Sequence, residues 1–367
     1  MDKAKFYNPF RPTAGAEPPR IIGRDDISLE FVEGLMSGVG APARLMRITG
    51  PRGSGKTVLL CDLRDRAIEL GWEAVVVSAG PRLSHDLMEQ ILDQLTFSSA
   101  SLGVNVGIAS AKLDISSSEM SLRAKLKQIA QGSKGLFIAV DEVQDAPVEE
   151  MCIIASTVQL LIGEKANIAL AFAGLPSGVM DLINGKALTF LHRAVPEDLA
   201  PINQIEIALS LSDSFNATGL SLDGDLLSKA ARATKGYAYL VQLVGYSIWQ
   251  RANLHREKST LVSERDVDEG ILLAEARFHD VVHEPEISGL SRNEINYLYA
   301  MCEDSRQSKT SDLAKRLGKK TSELSSVRAK LLSREVIQAP QRGYVQFAVP
   351  DLDEYLKDNR DEILSRY

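Results

Sequence analysis

Gly50-Pro51-Arg52-Gly53-Ser54-Gly55-Lys56-Thr57 is the stretch of this 367-residue sequence that decides its fold. It fits the pattern G-x-x-x-x-G-K-[ST] of a phosphate-binding loop. Residues 44–49 before it are typical of a short strand, and the residues from 57 onward are typical of a helix. Glycines let the backbone N–H groups of such a loop face an anion, and the following helix N-terminus adds partial positive charge. We therefore expect the eight residues to bind nucleotide phosphates, with Lys56 on the β- and γ-phosphates and Thr57 on Mg²⁺.

The composition is that of an ordinary globular protein with two or three domains, because 367 residues exceed what one compact core usually holds. No apolar run approaches the ~18 residues of a membrane span, and the N-terminus lacks the apolar core of a signal peptide. Cys61, Cys152 and Cys302 lie far apart without metal-ligand spacing, so we expect them to be reduced and structural. These features predict a cytoplasmic protein without a membrane partner.

The charge is distributed unevenly along the chain. The formal net charge is −7, which argues against a protein that coats nucleic acid. Residues 306–343 nevertheless hold ten lysines and arginines and three acidic residues, a net +7, so the remainder carries −14. One basic segment on an acidic body is more informative than the mean charge.

Short apolar runs alternate with helical patterns between residues 44 and 208. The runs lie at 45–49, 74–77, 136–140, 168–173 and 204–208, and the helical patterns lie at 56–70, 83–95, 120–131 and 147–162. Continuous apolar runs of this length are typical of strands buried on both faces of a parallel sheet. The alternation therefore predicts a doubly wound α/β domain. Residues 96–117 interrupt this order, and their composition is equally compatible with an inserted hairpin and with a disordered loop.

An acidic pair follows the third apolar run, where residues 136–140 lead directly into Asp141 and Glu142. Because the carboxyl ends of parallel strands face the ligand crevice, we expect both carboxylates to lie beside the phosphate-binding loop. Asp141 would then hold the Mg²⁺ shell, and Glu142 would act as general base on the attacking water.

The chain after residue 208 is helical until a new segment begins near residue 290. Residues 209–283 show no clear strand pattern, and residues 284–286 are typical of a linker. Ser291 and Glu294 then match a capping box that starts a helix. Two further helical patterns, at 312–317 and 322–333, precede apolar runs at 336–337 and 344–349 that are joined by a turn. Three helices followed by a hairpin predict a winged helix-turn-helix.

The loop at 50–57, the run Asp141-Glu142-Val143-Gln144-Asp145, the helical segment and the winged helix together resemble the AAA+ ATPases. The resemblance covers nearly the whole chain and favours the archaeal and eukaryotic replication initiators of the origin-recognition kind, with related bacterial ATP-binding proteins. It implies an α/β fold class: a P-loop AAA+ parallel sheet sandwich with an α-helical lid and a C-terminal winged helix-turn-helix. The implied parts are an extended segment at 1–24, a nucleotide-binding domain at 25–208, a lid at 209–283 and a winged-helix domain at 284–367.

The resemblance also implies roles for residues outside the phosphate loop. Ile22 and Gly23 match a segment that packs on adenine, and Arg193 matches an arginine that senses the γ-phosphate, often on a neighbouring subunit. The implied cofactors are ATP or ADP and Mg²⁺, and Arg193 implies self-association or a protein partner. Two features of the family are missing. The fourth strand of the family usually presents a polar residue to the γ-phosphate, but residues 171–174 offer none. The lid usually supplies an arginine, but residues 236–240 hold none. We therefore expect tight nucleotide binding and slow hydrolysis.

The basic segment supplies a second candidate site, for DNA. Its candidate contacts are Lys319, Lys320, Ser325, Arg328, Lys330 and Arg342, on the third helix, the turn before it and the wing. The favoured interpretation is an ATPase switch that couples nucleotide state to DNA association through the winged helix. The alternative is a signalling, defence or assembly ATPase whose winged helix binds a protein partner and not DNA.

Overall fold

The structure, a computed structural model, describes residues 7–13, 15–18, 20–101, 118–185, 188–257 and 259–366. It divides into two compact units. The α/β unit comprises Arg24–Gly50 and Gly55–Ala200, and the helical unit comprises the described residues up to Gly23, Pro51–Ser54 and the chain from Pro201 on. Among the helices of the described ranges, none combines the length and the apolar character that a membrane span needs.

The α/β unit contains a five-stranded parallel sheet. Its strands are β1 (Leu45–Thr49), β2 (Glu73–Ser78), β3 (Leu136–Asp141), β4 (Ile168–Gly174) and β5 (Val195–Asp198), in the order β2-β3-β4-β1-β5. In this order β4 separates β1 from β3, and Thr49 at the end of β1 is level with Gly174 at the end of β4. The ends of these three strands therefore share one edge, and the phosphate loop leaves the sheet there.

Helices cover both faces of this sheet. They are α1 (Asp25–Ser37), α2 (Lys56–Glu69), α3 (Leu83–Ser101), α4 (Ser118–Gly132), α5 (Val148–Gly163) and α6 (Pro176–Asn184). Phe137 and Ala139 of β3 enter the core that α1 and α2 cover, whereas Ile138 enters the core beneath α3 to α6. Burial on both faces explains why these strands are continuous apolar runs in the sequence.

The predicted doubly wound α/β architecture is confirmed, with four of its five predicted strands and all four of its predicted helices. The hairpin and loop alternatives for residues 96–117 are not decided. α3 extends to Ser101, and residues 102–117 lie outside the described residues.

The fifth predicted strand, at residues 204–208, is wrong because these residues begin a helix, α7 (Gln204–Ala217). Asn203 caps α7 by accepting a hydrogen bond from the N–H group of Ile205. Ile207, Leu211 and Phe215 are buried at a spacing of four residues, so the apolar pattern is that of a helix face.

The true fifth strand, β5, carries no apolar run that the sequence could reveal. It pairs only with β1, at the edge of the sheet, and its four residues alternate between half-buried and exposed. An edge strand needs only one buried face, and this one includes Pro196, which edge positions tolerate.

Four helices form the first part of the helical unit, and the prediction that residues 209–283 are helical is confirmed. They are α7, α8 (Gly224–Ala233), α9 (Ala238–Asn253) and α10 (Glu264–Phe278). Residues 7–13 of the N-terminal segment pack on them and form no helix or strand. The Phe10 ring centroid lies 5.4 Å from that of Phe215, and the Asn8 amide donates to the Tyr246 carbonyl at 3.0 Å.

The linker predicted at residues 284–286 is wrong, because the chain there is helical. α10 continues through a π-helical turn, His279–His283, into α11 (Glu284–Ile287). Pro285 occupies the first turn of α11, where the lack of a backbone N–H group costs little.

The C-terminal segment contains the three helices and the hairpin that the sequence predicts, together with elements that it did not predict. Its elements are α12 (Arg292–Met301), β6 (Ser308–Lys309), α13 (Thr310–Arg316), α14 (Ser325–Ser333), β7 (Ile337–Gln338), β8 (Tyr344–Phe347), α15 (Leu352–Asp358) and α16 (Arg360–Ser365). Ser291 and Glu294 make both reciprocal bonds of the capping box. β6, which the sequence did not reveal, extends the hairpin to an antiparallel sheet in the order β6-β8-β7.

His283 anchors the C-terminal segment within the helical unit. Its ring is buried against Phe278 and Tyr355, and Nε2 lies 2.7 Å from the Pro350 carbonyl. Because a carbonyl oxygen only accepts, Nε2 carries the proton, and Nδ1 is buried without a hydrogen-bond partner among the described residues. Burial lowers the pKa of His283 to about 4.

We expect the free energy of unfolding to fall as the pH drops from the ordinary histidine pKa of 6.5 towards about 4, because unfolded His283 gains a proton there and the folded ring does not. This contribution is fully present above pH 6.5, and its loss amounts to ~3 kcal/mol below pH 4. Urea unfolding at several pH values measures it. His283→Gln should flatten the fall, whereas the exposed control His255→Gln should not. An unchanged pH slope in His283→Gln would contradict this account.

Candidate nucleotide-binding site

The phosphate loop is built around two glycines in the left-handed region. Gly53 and Gly55 have φ angles of +72° and +94°, which L side chains rarely adopt. A hydrogen bond from the Ser54 N–H group to the Pro51 carbonyl, at 3.2 Å, closes the loop. α2 begins at Lys56, directly after Gly55. The N–H groups in the first turn of a helix have no intrahelical acceptors, and here they point towards the loop.

Two buried polar side chains of the loop suit an anionic ligand. The Ser54 hydroxyl is buried and has no hydrogen-bond partner within the described part of the chain, and a phosphate oxygen would satisfy it. The Lys56 side chain is also buried, and its ammonium donates to the Gly50 carbonyl at 2.9 Å. A buried cation beside a helix N-terminus favours phosphate over a neutral ligand.

Asp141 reaches the start of α2 from the end of β3. Its Oδ2 accepts a hydrogen bond from Thr57 Oγ1 at 2.5 Å, and its Oδ1 accepts one from the Glu142 N–H group at 2.9 Å. Burial raises the pKa of Asp141, and the hydrogen bond from Thr57 opposes this shift. The predicted metal ligands Thr57 and Asp141 are therefore in contact, as a shared Mg²⁺ shell requires, and both offer the oxygen atoms that Mg²⁺ prefers.

Glu142 follows directly and has an unusual backbone. Its φ and ψ angles of 51° and 47° are left-handed, which is uncommon for a residue other than glycine. Its Oε2 accepts a hydrogen bond from Gln144 Nε2 at 2.5 Å. Gln144 belongs to the run at 141–145 that carries the family resemblance, but its sequence position alone assigned it no role.

The end of β4 contains only buried, apolar or small side chains, as the sequence predicts for residues 171–174. The Gln144 side chain lies against this end instead. Its Oε1 accepts a hydrogen bond from the Leu175 N–H group at 3.1 Å. A polar amide therefore lies beside the end of β4, although it comes from the turn after β3.

Arg193 is the last residue of a 3₁₀ turn, Thr189–Arg193, that leads into β5. Its side chain is exposed and makes no ion pair with any residue of the described ranges. An exposed, unpaired arginine is free to reach another molecule. The γ-phosphate role of Arg193 stays a prediction.

The predicted adenine-binding residues Ile22 and Gly23 pack within the helical unit. Ile22 lies against the core of that unit. Gly23 has a φ angle of +67°, and a Cβ atom there would lie 2.7 Å from Glu206 Oε2 and 3.0 Å from Ile202 Cγ2. This close approach explains the glycine, and contact with adenine stays a prediction.

Tyr237 lies within residues 236–240, the stretch that holds no arginine. Within the helical unit, its hydroxyl donates to the Arg52 carbonyl, and the Tyr239 N–H group donates to the Gly53 carbonyl at 3.2 Å. A Cβ atom on Gly53 would lie 2.5 Å from the Tyr237 hydroxyl, so Gly53 is also required by this contact. Burial raises the pKa of Tyr237, which keeps the phenol neutral and able to donate.

Most candidate DNA contacts are exposed at the C-terminal segment. Lys319, Lys320, Ser325, Lys330 and Arg342 are exposed, and the four cations among them make no ion pair with a described residue. The sixth candidate, Arg328, is half-buried, and its Nε is buried without a hydrogen-bond partner among the described atoms.

Other cations of the same segment have internal partners. Arg316 pairs with Asp304 at 2.6 Å, and Lys315 pairs with Asp312 at 3.6 Å. Arg334 donates to the carbonyl groups of Ser288 and Gly289. The fold thus separates structural cations from cations that are available to a ligand, a distinction that the charge count alone could not make.

Comparisons with known proteins give a fold and no close relative. A domain family described as "Domain of unknown function (DUF8462)" matches residues 280–356. No curated protein matches the sequence.

Three solved structures are similar over nearly their whole length. A Walker-type ATPase of Pyrococcus abyssi is 15% identical, with a TM-score of 0.68 over 92% of this chain and 96% of that one. The ORC2 protein of Aeropyrum pernix, in ADPNP-ADP complexes, is 15% identical, with a TM-score of 0.64 over 100% and 98%. Cdc6p of Pyrobaculum aerophilum is 15% identical, with a TM-score of 0.52 over 100% and 99%.

The fold is that of the P-loop ATPases. Within that class it is the ORC/Cdc6-like AAA+ fold, as the resemblance in the sequence implied. At 15% identity the likeness establishes the fold, and the activity has to be argued from this chain's own residues.

Thr57→Val removes the hydroxyl that joins α2 to Asp141 with little change in volume, so we expect Mg²⁺ to lose most of its effect on ATP affinity. Thr57→Ser is the matched control, because it keeps the hydroxyl. Calorimetric titrations of ATP with and without Mg²⁺ measure the effect. The lost contact should also lower the free energy of unfolding by about 1–3 kcal/mol, because Asp141 stays buried without this donor. An undiminished Mg²⁺ effect in Thr57→Val would contradict the assignment.

Proposed function

We propose that this protein binds ATP, hydrolyses it slowly and uses its nucleotide state to control association with DNA through its C-terminal segment. The observation that carries the ATPase part is the hydrogen bond between Thr57 and Asp141, beside the buried Lys56. It brings the phosphate loop and the acidic strand end together in one site.

The residues of the site have distinct tasks in this proposal. The loop N–H groups and Lys56 bind the phosphates, and Thr57 and Asp141 would hold Mg²⁺, which when bound neutralises phosphate charge. Glu142 accepts the proton of the attacking water as general base. Arg193 of a second copy would contact the γ-phosphate, since in this chain it is exposed without an ion-pair partner among the described residues.

Two features support slow hydrolysis. The end of β4 offers no side chain that could contact the γ-phosphate, and residues 236–240, where the family resemblance implies an arginine, hold none. Each preorganised donor that is lost from such a site typically costs a large factor in rate. Binding without fast turnover suits a switch, because the ATP-bound state then persists.

The C-terminal segment supports the DNA part of the proposal. We interpret the order α12-β6-α13-α14-β7-β8 as a winged helix, in which the third helix would lie in a DNA groove and the wing would contact the backbone. Lys319, Lys320 and Arg342 flank this helix or lie on the wing and are exposed. Unpaired cations are the residues that hold DNA phosphates.

Replacing the general base should separate ATP binding from hydrolysis. We expect Glu142→Gln to lower turnover by at least about a hundredfold and to keep ATP affinity, because the amide cannot accept the proton. Phosphate release under saturating ATP and calorimetric ATP titration measure the two quantities. The wild-type rate should lie well below the ~10 s⁻¹ that is typical of enzymes. Wild-type turnover at many per second would overturn the slow-switch proposal.

The combined variant Lys319→Ala, Lys320→Ala, Arg342→Ala should lose DNA affinity while ATP affinity stays unchanged. Fluorescence anisotropy with a DNA duplex at several salt concentrations measures this. Each lost phosphate contact should also reduce the slope of log affinity against log salt by roughly 0.9. The control Arg82→Ala, Lys229→Ala, Lys357→Ala removes three cations that already have acidic partners, and it should bind DNA normally. Wild-type protein that does not bind DNA, or binds it independently of salt, would favour a C-terminal segment that binds a protein partner.

A further inference from the structure

The Gln144 side chain connects the predicted general base to the end of β4. Its Nε2 donates to Glu142 Oε2 at 2.5 Å, and its Oε1 accepts from the Leu175 N–H group at 3.1 Å. Both ends of the amide are therefore occupied. The two partners also fix its orientation, because a carboxylate only accepts and a backbone N–H group only donates.

Two glycines make room for this side chain. A Cβ atom on Gly174 would lie 2.6 Å from Gln144 Oε1, and one on Gly178 would lie 2.5 Å from Gln144 Cβ. Neither glycine has the left-handed backbone that would otherwise explain it. The end of β4 and the start of α6 are therefore shaped around Gln144.

The arrangement holds one oxygen of the Glu142 carboxylate and leaves the other available. Oε2 is bound by Gln144, and Oε1 has no hydrogen-bond partner in the part of the chain that the structure describes. Glu142 also has a left-handed backbone, so its side chain leaves the chain in a direction that ordinary strand geometry would not give. A carboxylate with one fixed oxygen presents the other in a defined direction.

We propose that Gln144 is a positioning residue. It orients the Glu142 carboxylate towards the attacking water, and it links that orientation to the end of β4. This inference rests on the proposed ATPase function. Gln144 supplies the polar group that no side chain at the end of β4 supplies. In this proposal it acts through Glu142 and does not contact the nucleotide.

Gln144→Glu separates the two bonds of the amide. The introduced carboxylate still accepts from Leu175 but can no longer donate to Glu142. We expect kcat to fall at least about tenfold, because one hydrogen bond to a charged group is lost and the new carboxylate repels Glu142, while KM for ATP and ADP affinity stay near wild type. Gln144→Met, which introduces no charge, should lower kcat by at least as much. The exposed Gln159→Glu on α5 adds the same charge elsewhere in the α/β unit and should leave kcat unchanged.

A double-mutant cycle with Glu142→Gln tests the route of the effect. If Gln144 acts through Glu142, adding Gln144→Glu to Glu142→Gln produces no further fall in turnover. An additional tenfold fall in that background, or changes in KM and ADP affinity that match the fall in kcat, would overturn the inference and indicate a structural role. Normal kcat in both Gln144 variants would also overturn it. Absence of wild-type turnover would instead refute the proposed ATPase function, on which the inference depends.

Discussion

The hydrogen bond between Thr57 and Asp141 joins the first turn of α2 to the end of β3, and it does so across β4, which lies between β1 and β3 in the sheet. The end of β4 between them consists of small residues, Ala173 and Gly174. A Cβ atom on Gly174 would lie 2.6 Å from Gln144 Oε1, so the side chain that requires this glycine comes from the turn after β3.

The end of β4 obtains its polar group from another part of the chain. An apolar β4 cannot orient a water or a phosphate, and Gln144 brings an amide to its end from the turn after β3. In the helical unit, the neutral hydroxyl of Tyr237 donates to the Arg52 carbonyl. A β4 end without a polar side chain of its own fits the proposed nucleotide binding with slow turnover.

The sequence predicted the parts of the fold that local pattern encodes. Buried strands are continuous apolar runs, so β1 to β4 and the loop after β1 could be located, and the capping box marked the start of α12. β5 could not be located because it is an edge strand whose side chains alternate only between half-buried and exposed. The apolar run at 204–208, which was predicted as the fifth strand, is one face of α7. Gln144 and Tyr237 were missed for another reason: their roles depend on partners far along the chain, Leu175 and Arg52. Only the position of Gln144, two residues after the predicted base, was a local signal.

The proposed function couples nucleotide binding at the phosphate loop to the exposed cations Lys319, Lys320, Lys330 and Arg342. Any such coupling must appear as a difference in affinity between nucleotide states, because a ligand shifts an equilibrium only by its differential affinity. The most direct measurement is therefore the affinity for one DNA duplex, at fixed salt, with saturating ADP and with a saturating non-hydrolysable ATP analogue. The account predicts affinities that differ at least about fivefold, the lower end of typical coupling between sites. Equal affinities in the two states would contradict it.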